Sequence, residues 1–325
     1  MRAIFSKRRA LIIIFISIFV LFILGYLKSE SFRMLSYSLL MPIENFTFEF
    51  SDGHKGNFYY YSTNEKTKSE NALIFIGGSE RVSLKNYIRY YLSPLPGGFD
   101  VFSLQKRFVS DRELGISAES MEYKKNNFFQ ARLTDHIEFF DKTIQTRKNR
   151  YRRIILLGIS EGGGIAVSLA NRFSSITHLA IVGSGGLNQF DELKLIFKDD
   201  QKSLENEVAK VQNNPESLEA QMFGQTYKYW SSSFQFYPLP LFLSLKIPIL
   251  IGFGENDSMV PIESAYLIEK EFVKNGKDNL SLRVFKNCDH TLKEPNGTLH
   301  REDFLNFLSS WVNKENAQQM HRRGK

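Results

Sequence analysis

Between residues 45 and 313, short apolar runs alternate with longer amphipathic ones. The runs at 72–76, 99–104, 154–157, 178–182, 247–252 and 280–285 are strongly apolar, too short for helices, and bounded by glycine, proline or polar residues. That pattern predicts buried strands. Between them, 83–92, 127–148, 163–173, 262–274 and 301–313 read as helices. In 127–148 the stripe is Phe128, Leu133, Ile137, Phe140 and Ile144. Strands alternating with helices predict an α/β fold, with a mostly parallel sheet covered on both faces. At the start, 46–50 and 57–61 have strand composition around the turn-forming 51–56, which predicts an antiparallel hairpin at one sheet edge.

Residues 186–245 depart from the rhythm. Nearly sixty residues stand where one crossover helix would suffice: a charged helical part at 189–212, then the aromatic-dense 227–238 with Tyr227, Trp230 and Tyr237. An insertion this long predicts a helical lid over a site; the alternative is a helical hairpin that only pads the sheet.

Residues 10–27 carry no charge and are almost wholly apolar. Eighteen residues at about 1.5 Å each span roughly 27 Å, enough to cross the hydrocarbon of a bilayer. Lys7, Arg8 and Arg9 before it predict a cytoplasmic N-terminus and an extracytoplasmic domain after it. The rival reading is a cleaved signal peptide and a soluble secreted protein. Against it, the run is longer than a signal peptide's apolar region and no Ala-x-Ala site follows, Ser29-Glu-Ser31 being a poor small-x-small substitute. The predicted organisation is a basic flank and anchor (1–28), a connector (29–44), one domain (45–315) and a disordered basic tail (316–325).

The net charge of +7 shrinks once the charges are located. Eight of the 42 basic residues lie in 1–28 and 316–325, which leaves 34 against 35 acidic ones. The body is nearly neutral and carries no electrostatic footprint for nucleic acid. The single cysteine, Cys288, excludes an internal disulfide and a Cys-rich zinc site. No metal-ligand spacing and no phosphate-cradling glycine loop is present, so neither a metal nor a cofactor is expected.

The chemistry gathers around 153–166. A buried strand (154–157) runs into Gly158-Ile-Ser160-Glu-Gly162-Gly163, followed by Ile165, Val167, Leu169 and Ala170. Gly-x-Ser-x-Gly between a strand and a small-residue helix suits a serine held on a sharp, strained turn beside the helix's first N–H groups. A serine hydroxyl needs a base, and the base needs a carboxylate to hold its tautomer. Asp257 lies in Gly254-Glu-Asn-Asp257-Ser-Met-Val-Pro261 after one predicted strand. His290 lies in Asn287-Cys288-Asp289-His290 after the next. Strand-end loops of a parallel sheet share one edge, where ligands bind.

On these three segments, the chain from about 45 to 313 resembles the α/β-hydrolase superfamily. The Ser-Glu-Gly-Gly form is similar to the dienelactone-hydrolase and acyl-aminopeptidase branches. The resemblance implies a serine hydrolase with Ser160 as nucleophile, His290 as base and Asp257 as the orienting acid. Its substrate would be a small acyl compound: an ester, thioester or amide. The implied oxyanion hole uses the backbone N–H of Glu161 and one from Gly77-Gly78-Ser79, assigned to Gly78. Ile76 stands where the family usually has histidine. Rivals remain at each position: Glu255 and Asp289 for the acid, His300 for the base. Cys288 reads as a small buried residue. Lys106-Arg107 either contacts an anionic substrate or forms a solvated loop. A binding module that kept the fold without turnover is the alternative to an enzyme.

Overall fold

A computed structural model of the chain describes residues 30–41, 43–64, 69–115 and 118–323. The predicted membrane span at 10–27 and its basic flank lie outside them. Among the described residues no helix is long and apolar enough to cross a membrane.

An eight-stranded sheet organises the molecule. Its strands are β1 (Glu44–Glu49), β2 (Lys55–Ser62), β3 (Asn71–Ile76), β4 (Phe99–Leu104), β5 (Arg153–Ile159), β6 (His178–Val182), β9 (Ile249–Gly254) and β10 (Leu280–Phe285). The spatial order is β1-β2-β4-β3-β5-β6-β9-β10. The β1–β2 and β2–β4 pairs are antiparallel and every later pair is parallel. This is the α/β-hydrolase fold, with the predicted hairpin at one edge. Ile154, Ile155, Leu156 and Leu157 of β5 are all buried, each contributing roughly 1.5–3 kcal/mol through removal from water. Their side chains alternate between two cores, one on each sheet face.

Three elements differ from the sequence reading. Residues within the predicted connector form a helix, Glu30–Leu40. It buries Met34 and sets Tyr37 edge-on to Tyr90, centroids 5.8 Å apart, on the helix Leu84–Tyr91. The long run at 127–148 is not one helix. An α-helix (Phe129–Phe139) passes into a π-turn (Phe140–Ile144) and then a 3₁₀ segment (Gln145–Arg150). The π-turn inserts one residue, so Phe139 and Phe140 are both buried. The buried face becomes Phe129, Arg132, His136 and Phe139, while Leu133 and Ile137 are half-buried. At the other end, the helix Arg301–Arg323 runs through most of the predicted disordered tail. Residues 314–323 lack glycine and proline and are rich in helix formers.

The segment 186–245 is helical: Gln189–Ile196, Gln201–Asn213, Tyr227–Phe234 and Pro238–Ser244. A two-stranded ribbon of β7 (Gln221–Met222) and β8 (Gln225–Thr226) lies among them. It encloses its own small core of Leu193, Leu204, Val208, Val211, Met222 and Trp230, while Tyr237 is exposed.

Candidate active site

β5 ends at Ile159, and the helix Glu161–Arg172 starts two residues later. Ser160 between them has φ +53° and ψ −127°, a conformation that costs a non-glycine residue about 1–3 kcal/mol. The surroundings hold it there. Its N–H donates to the Val182 carbonyl at 2.8 Å, and its carbonyl accepts from the Gly163 N–H at 2.8 Å. A β-carbon on Gly162 would collide with the Ile76 carbonyl and stand 2.8 Å from that of Gly77. The turn therefore closes against β3 only with glycine there.

Asp257 and His290 follow β9 and β10, at the same sheet edge as Ser160. His290 Nδ1 lies 2.7 Å from Asp257 Oδ2. The other carboxylate oxygen accepts the N–H groups of Met259 and Val260, both at 2.9 Å. The Asp257 side chain is fully buried, and that of His290 is 14% exposed. Gly183 at the end of β6 has φ +63°, and a β-carbon there would stand 2.8 Å from His290 Cε1. The imidazole thus rests on the strand end to which Ser160 is also tied. Among the described residues no hydrogen bond joins Ser160 Oγ to His290, a link that is often long in unliganded sites.

The rival side chains are engaged elsewhere. Asp289 Oδ1 accepts the N–H of Thr291 at 2.8 Å and that of Lys293 at 3.1 Å, closing its own turn. Glu255 accepts the Asn287 N–H at 3.1 Å. His300 lies between Glu294 and Asp303. His178 is buried edge-on against Trp311, and burial pulls its pKa down to about 4. His54 sits in the hairpin turn beside Phe50 and Phe108. Cys288 is buried.

Gly78 adjoins the serine: a β-carbon on it would stand 3.1 Å from Ser160 Cβ and 3.7 Å from Oγ. Glu161 opens the elbow helix, where the first N–H groups lack intrahelical acceptors. Its side chain forms a buried ion pair with Arg132, which also donates to the Gly77 carbonyl at 2.9 Å. One guanidinium thus anchors both segments that carry the candidate oxyanion donors. The sequence reading missed it. The signal was available: Arg132 and His136 are polar residues four apart on a helix face that also carries Phe129 and Phe139.

Two cavities meet at Ser160. One, of about 120 Å³, is lined by Gly78, Lys106, His136, Ser160, His290 and Arg301. The other, of about 60 Å³, is lined by Phe129, Ser160, Glu161, Leu187, Glu192 and Phe236. Burial drives the His136 pKa down to about 3, helped by the charge of Arg132. Glu192 moves the other way, to about 8, because burial disfavours its charged form. It accepts from Ser264 Oγ at 2.8 Å. Neither open reading of Lys106-Arg107 covers both residues. Arg107 is an internal tie to Asp52 and Asp135, whereas Lys106 faces the first cavity. Among the described residues no cluster of histidine, cysteine and carboxylate groups is arranged to hold a metal ion.

Residues 119–315 match the model of the prolyl oligopeptidase family. The chain belongs to that family. Over 97 residues it is 35% identical to the uncharacterized peptidase YuxL of Bacillus subtilis, covering 30% of this chain and 14% of YuxL. Acylaminoacyl peptidase of Pyrococcus horikoshii superposes with a TM-score of 0.58 at 13% identity, over 86% of this chain and 43% of that one. Est1E of Butyrivibrio proteoclasticus superposes with a TM-score of 0.57 at 15% identity, over 84% of this chain and 99% of that one. At such identities the structures share the fold. This family member spans less than half the length of the acylaminoacyl peptidase, and about the whole of Est1E.

Proposed function

We propose that this protein is a membrane-anchored serine hydrolase that cleaves an ester, thioester or amide through a Ser160–His290–Asp257 triad and an acyl-enzyme. The observation that carries the reading is the 2.7 Å Asp257–His290 contact beside a cavity that Ser160 and His290 both line. Asp257 fixes the Nδ1–H tautomer, which leaves Nε2 as the base. Ser160 Oγ attacks the substrate carbonyl as its proton passes to Nε2. The resulting oxyanion is received by the N–H groups of Gly78 and Glu161, each such donor being worth about 3–4 kcal/mol. Collapse breaks the bond to the leaving group, which takes the proton from His290 and leaves an acyl-serine. Water then gives a proton to His290 and attacks the acyl-serine. A second collapse returns the proton to Ser160 and releases the acid.

In this reading 186–245 is a lid. Its residues Leu187, Glu192 and Phe236 wall the cavity on the Glu161 side of the serine. The span at 10–27 anchors the chain, with the N-terminus cytoplasmic and the catalytic domain extracytoplasmic. A fluorophosphonate probe tests the chemistry: it labels the native chain and not Ser160→Ala, and equal labelling of both rules the mechanism out. An alkaline carbonate wash tests the anchor: the full chain stays with the membrane pellet, whereas a cleaved secreted form is released.

A further inference from the structure

Arg301 is a buried cation without an anion. It is 6% exposed and lines the first cavity with Ser160 and His290. Its guanidinium carbon lies 4.4 Å from the ring centre of Tyr90 and 4.9 Å from that of Tyr91. Among the described residues it makes no ion pair and no side-chain hydrogen bond, and its Nε is buried without an acceptor. The acids closest in sequence are taken or turned outward: Glu294 and Asp303 hold His300 at 2.6 and 2.7 Å, and Glu302 is exposed. Aromatic faces offset part of the cost of burying a charge. They supply none of the in-plane acceptors that a guanidinium fork is shaped for.

A second basic side chain shares the wall. Lys106 Nζ donates to the main-chain carbonyl of Glu80 at 2.8 Å and has no carboxylate partner among the described residues. The third basic side chain there, Arg132, is neutralised by Glu161, and His136 is held neutral by burial. Against these stands one acid on the lining, the exposed Glu80. Burial holds the Lys106 amine well below its usual range, so among the described residues Arg301 is the cation of this wall left without an anion, and Arg301 and Lys106 both keep hydrogen-bond donors for one.

We infer that this cavity receives an anionic group of the substrate, a carboxylate or a phosphate, bound by Arg301 and Lys106. The inference rests on the hydrolase reading and narrows its substrate class to acyl compounds carrying a negative charge near the scissile bond. Arg301 and Lys106 act here in binding, not in the chemistry of the carbonyl.

The test uses the full chain in detergent and two matched ester pairs. One pair is a butyrate and a hemisuccinate of the same phenol. The other is the acetates of 4-methylphenol and 4-hydroxybenzoate. In at least one pair kcat/KM favours the anionic member by about tenfold or more, the worth of one hydrogen bond to a charged group. Arg301→Gln and Lys106→Gln each erode that preference by a similar factor, mainly through KM. Succinate and inorganic phosphate, used as competitive inhibitors, separate a carboxylate site from a phosphate site. Preference for the neutral member in both pairs, or a ratio that neither substitution moves, overturns the inference. If Arg301→Gln unfolds, seen in its melting curve, Lys106→Gln decides. If the native chain ignores the fluorophosphonate probe, the hydrolase reading fails by itself. Calorimetric binding of succinate or phosphate to the native chain, lost in Lys106→Gln, then upholds the anion site, and absence of such binding removes it.

Discussion

The Asp257 carboxylate divides its two oxygens between tasks, Oδ2 to His290 Nδ1 at 2.7 Å and Oδ1 to the N–H groups of Met259 and Val260. The backbone thereby fixes the acid before the imidazole is considered. Asp257→Asn keeps the shape, but its amide favours the opposite tautomer. We expect kcat to fall by about 10³-fold or more with the melting temperature little changed. Ser160→Ala should lower it by on the order of 10⁵–10⁶-fold. Steady-state kinetics on any hydrolysed ester measures both.

Arg132 and Glu161 are a buried pair, so removing one partner strands the other. Arg132→Met should cost about 3–5 kcal/mol in urea unfolding. The double variant Arg132→Met, Glu161→Leu should lose much less than the sum of its two singles. Because the same guanidinium holds the Gly77 carbonyl, kcat should fall in both the single and the double variant while KM moves less. An unchanged kcat in the double variant would show that the pair is structural only.

At Gly162 the elbow has no room for a methyl group. Gly162→Ala forces the helix away from β3 and should destabilise the fold by about 3 kcal/mol, with probe labelling reduced even in the fraction that stays folded. Chemical unfolding and labelling of the same sample separate the two effects.

Glu192 gives a pH signature. Its folded pKa of about 8 stands above its ordinary value of 4.5, so the folded state binds the proton more tightly than the unfolded chain. Its contribution to stability is fully present below about pH 4.5 and is lost as pH rises through about 8. Glu192→Gln should flatten the fall in melting temperature across that window and leave the variant more stable by about 3–6 °C at pH 9. Scanning calorimetry at several pH values reads it.

The features legible in the sequence were those written locally. The elbow needs small residues on either side of one serine. The acid and base loops follow apolar runs too short to be anything but strands. Arg132, Glu192 and Arg301 escaped because their significance comes from partners far along the chain or from having none among the described residues. Arg132 meets Glu161 29 residues away, and Arg301 is notable for what does not face it. The π-turn at Phe140–Ile144 was invisible for a related reason. A single inserted residue shifts the helical phase, and only packing shows which phase prevails.

One of the two edge strands, β1, pairs on one side with β2, and among the described residues no strand pairs with its other side. It is almost wholly exposed, with Phe46 outward, and such a rim is a template for recruiting another chain's strand. Its first and last residues, Glu44 and Glu49, set carboxylates at both ends of that template, so two copies approaching rim to rim meet like charge. Neutralising both by Glu44→Gln and Glu49→Gln removes that guard, and self-association through this rim should then grow.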